Sequence, residues 1–334
     1  MPEKTRSLGR FVRWDTVAGG LLVVVLAVSL GSVGSFGNSL NIAFLIGNTL
    51  PIAVIALPMC MLVVAGEVDL SVGSMVGLSG SVMGALWDAN LPITYVIGIC
   101  LLVGLAGGLL NGFLVTTLGL PSLAVTIGTL AAFRGLAQII LGADAVTDFP
   151  QNYLDFGSGR IAGTPIPYAA IPYVVLLAIA VVVLHATPYG RSLFAVGANK
   201  EAAFFAGVRV KRAKLWMFAV TGLVSALTGV FWVLHYASAR YDNATGLELA
   251  VIAAVLLGGV DFDGGRGTLG GVFAGVFLLG ALQNVMSLVN VSAQAQTVVT
   301  GALLVISVLG PRVARSVSQA NQRRRATTTP SEPA

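Results

Sequence analysis

In a chain of 334 residues, 56% are apolar and only 10% are charged, against roughly 45–50% and 25% in soluble domains. No soluble fold could bury that excess, so the composition excludes a soluble enzyme and specifies an integral membrane protein. The net charge of +5 is accounted for by membrane topology and anionic lipid, and a nucleic-acid partner is not called for.

Apolar runs long enough to cross a hydrocarbon core of about 30 Å recur along almost the whole chain. They are continuous rather than alternating, which indicates helices and not a barrel. The predicted fold is an all-α polytopic protein of ten transmembrane helices, at about 16–36, 42–65, 70–87, 91–116, 121–141, 165–186, 213–235, 247–262, 268–289 and 293–311. Residues 1–15 then form a cytoplasmic N-terminus, 16–311 the membrane domain, and 312–334 a polar, basic, disordered cytoplasmic tail. The basic stretch before the first apolar run has no A-x-A-like cleavage site after it, so the first run reads as an uncleaved helix.

Basic residues fall in three groups: Lys4, Arg6, Arg10 and Arg13; Arg191, Lys200, Arg209, Lys211, Arg212 and Lys214; and Arg312, Arg315, Arg323, Arg324 and Arg325. Positive charge is retained on the cytoplasmic side, so an even number of spans must separate each pair of groups. The ten-span reading satisfies this and places both termini in the cytoplasm. It sends the loop with Asp144, Asp148 and Asp155, and the loop around Ser238 to Asn243, to the outside.

Cys60 and Cys100 lie inside apolar runs and read as packing residues, while His185 and His235 sit at helix ends as interfacial groups. Glycines four apart, as in Gly73 with Gly77, Gly104 with Gly108 and Gly271 with Gly275, form faces on which helices approach closely. Polar groups at membrane depth are few: Asn111, Thr126, Thr129, Arg134, Gln138, Gln283 and Asn284. Asn111 suits an interhelical hydrogen bond, and Arg134 must either find a partner or snorkel outward, the short hop to Asp144 and Asp148 favouring the latter.

Two runs share a pattern. G-E-V-D-L-S-V-G, from Gly66 to Gly73, places Glu67 and Asp69 between apolar segments, where a charge at mid-depth would cost about 2.5–3.5 kcal/mol. G-G-V-D-F-D-G-G-R-G, from Gly258 to Gly267, sets Asp261 in the position equivalent to Asp69. Two readings stand: tight cytoplasmic turns with Asp capping the next helix, or broken helices whose ends line a substrate path.

Motifs of soluble catalysis are missing. The dipeptide Gly-Lys never occurs, so the chain holds no Walker A loop; no H-E-x-x-H, paired-cysteine or G-x-S-x-G motif is present. No catalytic residue, cofactor or metal site is expected.

The island between Thr187 and Lys214 carries Tyr189-Gly190-Arg191, then Gly197-x-Asn199, Ala202, Ala203, Gly207 and Val208. With the early Gly/Asp run and the late segment from Glu248 to Gly259, it resembles the ribose-type permeases of bacterial ABC importers, over roughly residues 40 to 310. Ala56-Leu57-Pro58-Met59 and Ser238-Ala239-Arg240-x-Asp242 look most like the permeases for autoinducer-2 and rhamnose-type sugars. Glu67 departs from the family pattern, which has a glycine there.

The resemblance implies a non-catalytic translocation subunit in the bacterial inner membrane for a sugar-like solute. It further implies two permease subunits, identical or different, two ABC ATPase subunits and an extracytoplasmic solute-binding protein. The loop 187–212 becomes the ATPase-coupling element, with Gly197, Asn199, Ala202, Ala203, Phe204 and Gly207 as its named residues. Asn199 would cap a short helix presenting Phe204 and Phe205 to a groove. Glu67, Asp69, Asn111, Thr126, Asp261, Gln283 and Asn284 are the candidate pathway or turn residues. An ion-coupled secondary transporter using Glu67 and Asp69 is the alternative; for an intramembrane enzyme no nucleophile and base stand out.

Overall fold

A computed structural model describes residues 14–309. The basic N-terminal group and the polar tail expected at 312–334 lie outside the described residues. In chain order the helices are α1 (Trp14–Ser32), α2 (Ser39–Val64), α3 (Val72–Asp88), α4 (Ile93–Thr116), α5 (Ser122–Leu141), α6 (Gln151–Ser158), α7 (Ala170–Val181), α8 (Pro188–Ala198), α9 (Lys200–Phe205), α10 (Val210–Tyr236), α11 (Leu247–Leu257), α12 (Leu269–Leu288) and α13 (Ala293–Leu309). The described residues contain no strand, only two isolated bridges.

Helices α1, α2, α4, α5, α10 and α12 are long and apolar enough to cross a membrane; α7 with α8 would form a seventh such unit, bent by 68°. Each of the ten expected apolar segments carries a helix, but α11 has only 11 residues. The expected span at 165–186 is shortened at its start, since its helix begins at Ala170 and ends in a π-helical turn, Val182–Ala186.

Burial sorts the helices into two populations. From Val72 to Gly84 every residue of α3 is buried, and α2 is buried from Thr49 to Val64 except at the half-buried Val54. α10 packs against α2, α3 and α4. Helix α1 is mostly exposed, with Val23 and Val24 at 65% and 56%, and it touches the rest mainly through α12. Exposed apolar side chains that run the length of a helix define a lipid-facing surface, because hydrocarbon and not water solvates them.

The glycine faces divide in two. Gly104 and Gly108 of α4 meet the backbone of α10 at Gly222 and Phe218, and Gly271 and Gly275 meet α11 at Gly258 and Ala254, so a side chain at any of these would strike a neighbouring helix. Gly73 and Gly77 of α3 make room for something else: added Cβ atoms there would strike Glu248 and Arg134. Helix–helix packing was the expectation for that face, and the occupants are instead two charged side chains and the loop that follows α10.

Arg134 is the second correction. It turns inward, its guanidinium donating to the carbonyls of Tyr241 at 2.6 Å and Asn243 at 2.8 Å, and more weakly to Gly73 at 3.4 Å. Outward snorkelling would leave those loop carbonyls unpaired, and buried carbonyls require donors. The loop between α5 and α7 folds down as α6, whose Gly157 lies against the backbone of Leu234 and bonds His235 Nδ1 through its carbonyl at 2.9 Å.

Candidate functional site

Two cavities lie at opposite ends of α2 and α10. The first, about 910 Å³, is walled by the starts of α2 and α11, the ends of α10 and α12, and α13. Its polar groups include the amides of Asn41, Asn48, Gln283, Asn284 and Gln296 and the hydroxyls of Thr49, Thr245, Ser287, Thr297 and Thr300; Trp232, Tyr236 and Phe44 supply aromatic faces. Among the described residues no Asp, Glu, Lys, Arg or His lines it.

Asn41 and Asn48 stand seven residues apart, two helical turns, and so share a face of α2. Asn41 exchanges both amide hydrogen bonds with Asn284 of α12, at 3.0 and 2.9 Å. Tyr236 donates its hydroxyl to Asn48 Oδ1 at 3.1 Å, and Gln283 reaches Thr300 at 3.4 Å. Each amide offers a donor and an acceptor, so the wall can exchange these internal bonds for those of a neutral, hydroxyl-bearing solute. A charged solute would enter a chamber with no counter-charge and lose its hydration uncompensated.

Ala244 to Leu247, which form one side of this chamber, directly follow the Tyr241 and Asn243 carbonyls that Arg134 holds. On its exposed side Arg240 donates to both carboxylate oxygens of Asp242, at 2.9 and 3.1 Å. That bond holds the Asp242 carboxyl below the usual carboxylate range.

The second cavity, about 990 Å³, is a cleft between α9, the start of α10 and the end of α4. It is lined by Lys200, Arg209, Lys211, Arg212 and Lys214, with Glu67 and Glu201 the acidic members. At its base Lys214 Nζ lies 2.5 Å from Glu67 Oε1, both side chains largely buried. Lys214 therefore spends its charge on Glu67, so it does not add to the free basic surface of the island.

The island itself is helical. Thr187 caps α8 by accepting from Gly190 N at 3.2 Å, and Pro188 takes the first-turn position where its missing N–H costs nothing. Gly190 lies so close to the Leu184 carbonyl that any side chain would collide. Tyr189 donates to Ala213 O at 2.7 Å and ties α8 to α10. Asn199 caps α9, accepting from Ala202 N at 2.9 Å. Ala203 is buried with Val196 and Val210, whereas Ala202 is exposed and Phe204 and Phe205 stand 66% and 86% exposed with rings 5.8 Å apart. Gly207 follows with φ +83° in open space.

The remaining candidates do not converge on one site. Asp69 is buried and accepts from Ser71 N at 2.8 Å and Ser71 Oγ at 2.6 Å; Asn111 of α4 donates to the same Ser71 hydroxyl at 2.9 Å. This network closes the break between α2 and α3. Thr126 is wholly buried and donates to Ser122 O within its own helix. Asp261 is half-buried in the turn after α11, its N–H bonded to Arg266 O at 3.0 Å and its carboxylate accepting from Asp263 N at 3.3 Å. Only Gln283 and Asn284 enter the uncharged chamber, and only Glu67 enters the basic cleft.

Sequence reasoning missed Asn41, Asn48, Trp232 and Tyr236. The seven-residue spacing of the two asparagines was the available signal. It missed the partner of Glu67 as well, although a buried carboxylate demands a cation.

Such an architecture, a lipid-facing helical bundle with an uncharged polar chamber at one end and a basic cleft at the other, defines a membrane permease. The family described as branched-chain amino acid transport system / permease component matches residues 41–308, and the chain belongs to it. Among curated relatives it is similar to the autoinducer 2 import system permease protein LsrD of Escherichia coli O157:H7, 32% identical over 93% of this chain and 94% of that protein. It is similar also to the LsrD of Photorhabdus temperata, 30% identical over 93% and 94% of the two chains. No solved structure matches.

Proposed function

We propose that this chain is the translocation subunit of an ABC-type importer in the bacterial plasma membrane, with ten membrane-crossing helices, cytoplasmic termini and no catalysis of its own. Two permease chains would form the pathway, two ATPase subunits would bind the α8–α9 element, and an extracytoplasmic binding protein would deliver the solute. The observation that carries this reading is α9: a six-residue helix, capped by Asn199, that holds two phenylalanines in solvent beside a basic cleft. Exposed paired aromatics of this kind anchor protein interfaces, where fully desolvated rings dominate the energy.

The solute is a small, neutral, polyhydroxylated molecule of the autoinducer-2, rhamnose or pentose type. Similarity to LsrD supports this, as does a chamber lined by amides, hydroxyls and aromatic rings without a formal charge. Ion-coupled transport is the lesser reading, because Glu67 is paired with Lys214 and Asp69 is bonded to Ser71, so both carboxylates already have partners.

The test is affinity purification of the tagged chain from its native host. The wild type should copurify an ATPase with a Walker A loop, and Gly207→Trp or deletion of 199–206 should lose both that ATPase and uptake while still inserting into the membrane. Normal uptake in either variant would sink the assignment.

A further inference from the structure

Three backbone segments that are remote in sequence touch at one point. The end of α2 (Val64 to Gly66), the end of α8 (Gly197 and Ala198) and the turn after α11 (Gly264 and Gly265) are packed main chain against main chain. Gly265 N donates to Val64 O at 2.8 Å. A Cβ on Gly264 would lie 3.0 Å from Gly66 Cα and 3.2 Å from Gly197 Cα; one on Gly265 would lie 2.8 Å from Ala198 N; one on Gly197 would strike the Val64 carbonyl. Gly66, Gly264 and Gly265 all have positive φ, at +77°, +86° and +75°, so each turns the chain sharply at the contact. Both Gly/Asp runs thus meet at the same end of the molecule, with the C-terminal end of α8 wedged between them.

We infer that this glycine junction is the positioning device that couples the α8–α9 element to the chamber. The inference rests on the reading of α8–α9 as an ATPase-docking element, and it concerns a different set of contacts. Two of the three segments lead directly to the chamber wall. α2 runs unbroken from the junction to Asn48 and Asn41, about 1.5 Å per residue over its 26 residues. α11 runs from Leu257, which the turn joins to Gly264, to Leu247 and Ala250. α2 and α11 also pack on each other. A shift of α8 at Gly197 therefore bears on the end of α2 and on the turn that follows α11, main chain against main chain. Motion of this kind is carried as rigid-body shear of packed elements. Gly197 accordingly faces the permease interior, while Phe204 and Phe205 face outward, so the two ends of the island have separate tasks.

The test uses the complete transporter, purified from the native host with its ATPase and binding protein and reconstituted in proteoliposomes. ATP hydrolysis is measured with and without added binding protein. Gly264→Ala wedges a methyl group into the junction, whereas Gly66→Ala carries the same left-handed strain but places its Cβ 4.0 Å from Gly197 Cα, an ordinary contact. Gly264→Ala should assemble with the ATPase and keep basal hydrolysis, but stimulation by the binding protein should fall to the basal level; Gly66→Ala should keep most of its stimulation. Equal stimulation in Gly264→Ala and wild type, or equal loss in the two variants, overturns the inference. Should Gly264→Ala fail to fold, the wild-type complex decides by hydrogen exchange: the Gly265 amide should change its protection when a non-hydrolysable ATP analogue binds, and unchanged exchange overturns the inference. If no ATPase copurifies with the wild type, it is the docking reading that fails.

Discussion

The chamber and the cleft occupy opposite ends of the same helices, and their chemistry differs in kind. The chamber holds about 910 Å³ with no formal charge in its wall, and its amides bond to one another. The cleft holds about 990 Å³ with five basic residues and exposed phenylalanines. Charge in the cleft is where water can solvate it, and among the described residues of the cleft the buried pair, Glu67 with Lys214, is matched at contact distance. On the proposed reading, the contrast is that of a surface that recognises a macromolecule and a space that must let a neutral solute in and then out again.

Substitutions at four places test that contrast, in descending order of effect. Lys214→Ala should be the most damaging, because it leaves Glu67 buried and unpaired, a loss of about 3–5 kcal/mol. A fall in the midpoint of thermal unfolding in detergent measures it, and Glu67→Gln added to Lys214→Met should restore most of the loss. Phe205→Ala should cost about 2 kcal/mol of partner affinity, on the order of thirtyfold, seen as loss of ATPase in pull-down at unchanged membrane insertion. Wild-type recovery of the ATPase would remove α9 from the interface.

In the chamber, Asn284→Leu removes a hydrogen-bonding amide and should reduce uptake of the solute retained by the copurified binding protein by about twofold to tenfold, the equivalent of 0.5–1.5 kcal/mol. Asn284→Asp is the sharper form: it introduces a charge where the wall has none, and it should lower uptake further at neutral pH and recover as pH falls. Uptake insensitive to both would detach this cavity from the pathway.

The smallest effect concerns the loop beside the chamber. Arg240 depresses the Asp242 carboxyl, so the stabilising contact is present above the ordinary carboxylate range and is lost as pH falls through the depressed value. Wild-type stability should therefore decline in acid slightly more than that of Asp242→Asn, read by thermal unfolding across an acid series.

Much of the architecture was legible along the chain. The apolar runs that recur between Trp14 and Leu309 dictate helices, since lipid cannot satisfy a free backbone N–H, and α2, α4, α5, α10 and α12 overlie the expected segments closely. The island's Asn199 and its phenylalanines were legible for the same reason: capping and exposure of a short helix are local properties. The occupants of the α3 glycine face were not, because a glycine pair states only that something approaches closely. Whether that something is another helix, as at Gly104 and Gly108, or Arg134 and Glu248, as at Gly77 and Gly73, depends on residues far along the chain.

By itself, then, the sequence determined a helical membrane permease and the short capped helix with its exposed phenylalanines. Those follow from hydropathy, charge and short-range backbone chemistry, which act within one or two helical turns. Tertiary structure alone decided that Lys214 neutralises Glu67, that Asn41 meets Asn284, and that Gly66, Gly197 and Gly264 converge. Each of these joins segments separated by many tens of residues, and only the packing of the whole bundle sets their distance.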